Sequence, residues 1–178
     1  MFRLALIYGV LSGGVIIGIT TIGFIMSGGE VAENAQVVGY LVMFLALSVI
    51  FVAVKQYRDG HHGGVIKFLP ALGMGLLVSL VAAVVYVAVW EVYLAATDFA
   101  FWDAYAASLI EAEQAKGTSE EDIAALTENM AEMREVYANP LFRIPITFSE
   151  IFPVGLLISL ISAAILRNPN VLPARAAA

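Results

Sequence analysis

Four long apolar stretches, almost free of charge, set the limits on what this chain can fold into. They run from about Leu4 to Met26, Val37 to Val54, Leu69 to Ala95 and Ile144 to Leu166. A helix needs about 20 mostly apolar residues to cross a bilayer, at 1.5 Å of rise per residue. Each stretch reaches or approaches that length, the second being the shortest. In lipid the backbone must satisfy its own hydrogen bonds, so uninterrupted apolar runs of this kind are helices and not barrel strands. The expectation is an all-α integral membrane four-helix bundle, built as one membrane domain over 1–178.

Composition agrees. Of 178 residues, 61% are hydrophobic and only 13% are charged. An ordinary soluble domain carries about a quarter charged residues, and a soluble fold of this size has too much surface to hide so much apolar material. The net charge of -6 comes mainly from a single segment between the third and fourth stretches. Basic residues form no stripe, so no nucleic-acid partner is expected. The chain has no cysteine, which excludes disulfides, thiolate metal sites and cysteine nucleophiles. The apolar run after Arg3 extends well past a signal-peptide core and reads as an uncleaved anchor.

Lysine and arginine favour the cytoplasmic side of a membrane. Arg3 precedes the first stretch, Lys55, Arg58 and Lys67 lie between the second and third, and Arg167 and Arg175 follow the fourth. With four spans all six share one side. Glu30, Glu33 and the long acidic segment share the other. This predicts that both termini lie on the cytoplasmic side.

The acidic segment, about 98–137, reads as an extramembrane helical hairpin. Phe99, Trp102, Ala106, Leu109 and Ile110 recur at helical spacing. Gly117 stops that helix, and Thr118 or Ser119 caps the next, whose first turn holds Glu120, Glu121 and Asp122. Ile123, Leu126, Met130, Met133 and Tyr137 form an apolar stripe on the second helix. That stripe either packs against the first helix or docks a protein partner. Trp90, Tyr93, Phe99, Phe101, Trp102 and Tyr105 cluster where the third span ends, as an aromatic belt at the outer interface would.

Small residues recur four apart: Gly9 with Gly13, Gly14 with Gly18, Gly75-Ser79-Ala83 and Gly155-Ser159-Ala163. Such stripes let helices approach closely, inside one bundle or between copies in a homo-oligomer.

Glu91 and Glu150 are the candidate functional positions. Both lie inside spans that meet on the outer side, at similar depth. An ionisable residue in a span is a functional candidate by default. Two carboxylates held out of water suit proton exchange; alternatively they are a hydrogen-bonded pair that fixes helix packing. Tyr86, Tyr93, Thr147 and Ser149 are potential partners, and Arg143 sits two turns from Glu150. Pro153 removes a backbone donor nearby and predicts a kink or a locally opened helix.

Lys55, Arg58 and Lys67 are candidate contacts for lipid headgroups. His61 and His62 lie in a glycine-rich turn, Asp59 to Gly64. Adjacent histidines lack the spacing of a helical zinc site, so no metal is expected. No G-x-S-x-G, H-E-x-x-H, P-loop or dinucleotide fingerprint occurs, and neither enzymatic activity nor a cofactor is expected.

The order of features carries a resemblance. A glycine-rich first span precedes Lys55-Gln56-Tyr57-Arg58-Asp59, then Gly64-Val65-Ile66-Lys67-Phe68. Trp90-Glu91-Val92-Tyr93, an acidic helical insert and Asn139-Pro140 follow. Phe148-Ser149-Glu150-Ile151 then leads into Gly155-Leu156-Leu157-Ile158-Ser159-Leu160. Over nearly its whole length the chain resembles the bacterial membrane-protein family known as domain of unknown function 4199. The resemblance implies four inner-membrane helices and no assigned catalytic residue. The reading that follows is a non-enzymatic accessory or interaction protein, with membrane lipids and a protein partner as its contacts. The alternative is a small oligomeric transporter or proton-coupled carrier using Glu91 and Glu150.

Overall fold

The computed structural model describes residues 1–27 and 34–174. Glu30, Glu33 and Arg175 lie outside the described residues. Among those described there are seven helices and no strand. They are α1 (Phe2–Met26), α2 (Ala35–Leu47), α3 (Val49–His61), α4 (Phe68–Ala96), α5 (Ala100–Ala115), α6 (Glu120–Ala138) and α7 (Pro140–Leu166). Four stretches are long and apolar enough to cross a membrane: α1, α2 with α3, α4, and α7. The chain is an all-helical membrane bundle, as expected; each span begins slightly before the boundary read from hydropathy, and the second continues past Val54 to His61.

The second span is two helices rather than one. At Ser48 the backbone N–H reaches both Phe44 O and Leu45 O, and the hydroxyl donates to Leu45 O at 2.6 Å. Shared i−3 and i−4 bonds with a serine back-bond tighten the turn and interrupt the regular ladder. The glycine-rich turn is also shorter than expected, because α3 continues to His61. Within this turn Gly63 and Gly64 adopt positive φ, at 60° and 86°.

Helix α4 lies at the centre, packed against α1 and α7 along its length and against α3. The small residues explain the close approach. A Cβ on Gly13 would lie 2.5 Å from the Ala82 carbonyl oxygen, so only glycine fits there. Between α4 and α7 the contact is reciprocal. A Cβ on Gly75 would meet Ser159 Oγ at 2.7 Å, and one on Gly155 would meet Ser79 Oγ at 2.6 Å. The two serine hydroxyls are 3.1 Å apart, and each also bonds the carbonyl of its own glycine. Two protons serve three contacts, so one must be shared. By contrast, among the described residues a Cβ added to Gly14 or Gly18 would meet nothing within 4 Å.

Helix α7 is one continuous helical element that contains Pro145 and Pro153. Packing against α4 holds the helix across positions that lack a donor.

The hairpin forms where the sequence places it. Gly117 has φ 79°, and Thr118 N–H returns to Glu113 O, closing α5. The Ser119 side chain then accepts from Asp122 N–H and caps α6. Within the stripe of α6, Met130 is buried, Ile123, Leu126 and Tyr137 are half-buried, and Met133 is exposed.

Candidate functional site

The most developed polar site lies where the hairpin joins the bundle, and Arg143 is its centre. Asn139 caps α7 by accepting from Leu141 N–H, and Pro140 occupies the first turn, where a missing donor costs nothing. One turn later Arg143 points into the junction and is only 5% exposed.

Its guanidinium is bonded on every side. Nε and Nη2 donate to the two carboxylate oxygens of Glu91, at 2.7 and 2.6 Å. This is the bidentate fork that arginine forms with carboxylates. Nη1 donates to Tyr137 O and Ala138 O, at 2.8 and 3.0 Å. Those are carbonyls at the end of α6, which lack partners in their own helix and carry the negative end of its dipole. Two rings flank the charge: the guanidinium carbon is 5.1 Å from the centre of Phe99 and 5.8 Å from that of Tyr137. Phe99 reaches this position because the α4–α5 turn holds Asp98 and Phe99 at positive φ, 49° and 62°. Non-glycine residues adopt that region infrequently.

Aromatic packing seals the junction. Trp90 Nε1 donates to the Tyr137 hydroxyl at 2.9 Å, and Trp102 stacks on the Tyr137 ring at 5.1 Å. Burial pushes the Tyr137 phenol up from its ordinary range. Trp90 and Trp102 are 6% and 7% exposed. They are packed into the bundle–hairpin junction. Tyr93, Phe99, Phe101 and Tyr105 are half-buried around them. On the outer side, Arg134 pairs with Asp103 and ties α6 to α5.

The two glutamates have different partners. Glu91 is held by Arg143, while Glu150 interacts with the Tyr86 phenol. Arg143 does not bridge to Glu150 either. Seven residues of helix separate the two by about 10 Å along the axis, whereas Glu91 stands directly across from Arg143. Thr147 is buried beside Tyr137.

At the opposite end, Arg58 also departs from expectation. It was a candidate for lipid headgroups, but its side chain is fully buried. It donates to Val171 O, Leu172 O and Asp59, so the segment after α7 folds back over it. Asp59 also pairs with Lys55, whose side chain is about one third exposed. Of the three candidates Lys67 is the exposed one, at the start of α4. Lys55 and Asp59 line an open cleft with Gly60, Leu172, Pro173 and Ala174. His61 and His62 pack around the Tyr57 ring. Among the described residues no group of three His, Cys, Asp or Glu side chains gathers to hold a metal.

The fold and its junction extend across the region matched by one family model, described as protein of unknown function (DUF4199), over residues 7–168. The chain belongs to this family. The match takes in both halves of the junction, Glu91 and Arg143, and Arg58 as well. Comparison with curated proteins and with solved structures gives no match. Membership therefore agrees with the resemblance read from the motifs and assigns no chemistry to the site.

Proposed function

We propose that this chain is a non-enzymatic accessory protein of the bacterial inner membrane, which presents its hairpin to a protein partner outside the cytoplasm. The observation that supports this reading is the Arg143 clamp. It joins α4, α6 and α7 and gives the hairpin a defined seat on the bundle. A hairpin held in one orientation binds a partner with less ordering entropy than a tethered one. Its outward surface is acidic, with Glu120, Glu121, Asp122, Glu128 and Glu132 exposed on α6, which suits a basic face on the partner.

The orientation rests on the basic residues. Arg3, Lys55, Arg58, Lys67 and Arg167 share the end opposite the hairpin, so both termini are assigned to the cytoplasm. The carrier reading has less to draw on, because Glu91 is engaged by Arg143 and Glu150 alone remains open.

The test is photo-crosslinking from α6 in native membranes, followed by mass spectrometry. A single protein captured at stoichiometric yield, and lost in an Arg143→Ala variant that still inserts, supports the reading. Capture of no protein, together with proton-dependent flux in liposomes, replaces it with the carrier.

A further inference from the structure

Among the described residues of the spans, Glu150 is the one acid that the two arginine clamps leave out. It lies seven residues beyond Arg143 along α7, about 10 Å further into the membrane at the helical rise. Arg143 sits at the junction with the extramembrane hairpin, so Glu150 falls within the hydrocarbon region of a core about 30 Å thick. A glutamate side chain is too short to reach the headgroups from there. Its residue is exposed on the outside of the bundle, on the same helix face as Ile146 and Leu157, which are exposed as well.

The groups around it are few. Helix α4 offers the Tyr86 phenol, which is 5% exposed and interacts with Glu150. Tyr137 of α6 is within electrostatic range. Helix α2 carries no acid or base apart from the phenol of Tyr40. On α7 itself Arg143 is committed to Glu91 and two carbonyls. Among the described residues no ion pair includes Glu150. Next to it the Ser149 carbonyl lacks its usual helical partner, because residue 153 is proline.

We infer that Glu150 is a proton-binding site within the bilayer, whose carboxyl carries a proton while Tyr86 and the open backbone beside Pro153 provide its polar contacts. An ionised carboxylate with no counter-cation in hydrocarbon is strongly disfavoured. Taking up one proton from the adjoining water removes the charge and leaves a neutral acid that donates one hydrogen bond. The Ser149 carbonyl, one residue away, is an acceptor of the right kind. This goes beyond an interaction role and holds whether or not the hairpin has a partner.

The experiment uses the full chain in phosphatidylcholine nanodiscs at neutral pH. A lipid-soluble carbodiimide, dicyclohexylcarbodiimide, reacts with protonated carboxyls in apolar surroundings; a water-soluble carbodiimide reacts with hydrated ones. The expected result is lipid-soluble labelling of Glu150 at least tenfold faster than any other carboxyl, falling as pH rises, with no labelling by the water-soluble reagent. Glu91, held by Arg143, stays unlabelled. Glu150→Gln, which imitates the protonated acid, abolishes the labelling and leaves the unfolding temperature unchanged. Labelling by the water-soluble reagent means a hydrated carboxylate and overturns the inference. Resistance to both reagents means the carboxyl is covered by another chain or ion, and overturns it too.

Discussion

Arg58 and Arg143 sit at opposite ends of the same bundle, and both are withdrawn from solvent. Both donate to main-chain carbonyls that have no partner within a helix. Arg58 collects Val171 and Leu172, from the segment after α7. Arg143 collects Tyr137 and Ala138, at the end of α6. Each therefore ties a piece of chain outside the spans to the spans themselves. Arginine suits this work because its donors fan out in one rigid plane and it never loses its charge.

The difference lies in what else each one holds. Arg58 has Asp59, its neighbour in sequence, already shared with Lys55. Its reach ends at the terminal segment. Arg143 has Glu91 from another helix, two rings and the hairpin. One side chain thus connects three helices. The comparison teaches that a buried arginine matters according to the elements it joins, more than according to its depth.

The largest effect is expected from Arg143→Ala. It leaves Glu91 without a counter-charge and two carbonyls without donors. Removing one partner of a buried pair costs about 3–5 kcal/mol; with a quarter of the Glu91 side chain open to solvent, about 3 kcal/mol is expected. Reversible unfolding in detergent measures it. Arg58→Ala comes next, at about 2 kcal/mol for orphaned carbonyls and the space left behind. Its effect is confined to 167–174, seen as faster amide exchange there and unchanged exchange in the hairpin. Loosening of the hairpin in this variant would break the comparison.

Glu91→Gln follows, at about 1 kcal/mol, because the amide oxygen still accepts from Arg143 but the charge is gone. A double-mutant cycle with Arg143→Ala sharpens the point: the two losses should be strongly non-additive, since the residues act as a unit. The smallest effect concerns an exposed ion pair, Glu113 with Lys116 at the hairpin turn. Hydrogen bonds from Lys116 and Thr118 hold the Glu113 carboxyl below its ordinary value of 4.5. A depressed acid stabilises the fold above its unfolded value and loses that contribution as pH falls through the folded one. The turn should loosen only in acid below about pH 4.5, visible by NMR titration.

Much of the architecture was legible. Four apolar stretches gave four spans, and Gly117 with Ser119 placed the hairpin turn. These features are local, and local chemistry decides them. The Arg143–Glu91 pair was missed although a signal existed. Ser79 packs on Gly155 across an antiparallel contact, Glu91 lies twelve residues after Ser79, and Arg143 lies twelve residues before Gly155. Extending the small-residue register outward brings the two charges face to face. Depth alone, used to pair Glu91 with Glu150, ignored which face each residue occupies. Arg58 was missed for another reason: its partners are backbone carbonyls of a segment whose sequence, Val171-Leu172-Pro173, announces no such role. Ser48 resembles many serines that interrupt nothing, and only the local hydrogen bonds distinguish it.

The central claim is that Arg143 seats the hairpin on the bundle. Amide exchange of the native chain and of Arg143→Ala, compared in the same nanodiscs, tests it most directly. Faster exchange is expected throughout α5 and α6 in the variant, with α4 and the remainder of α7 unchanged. Hairpin protection equal in the two proteins would contradict it.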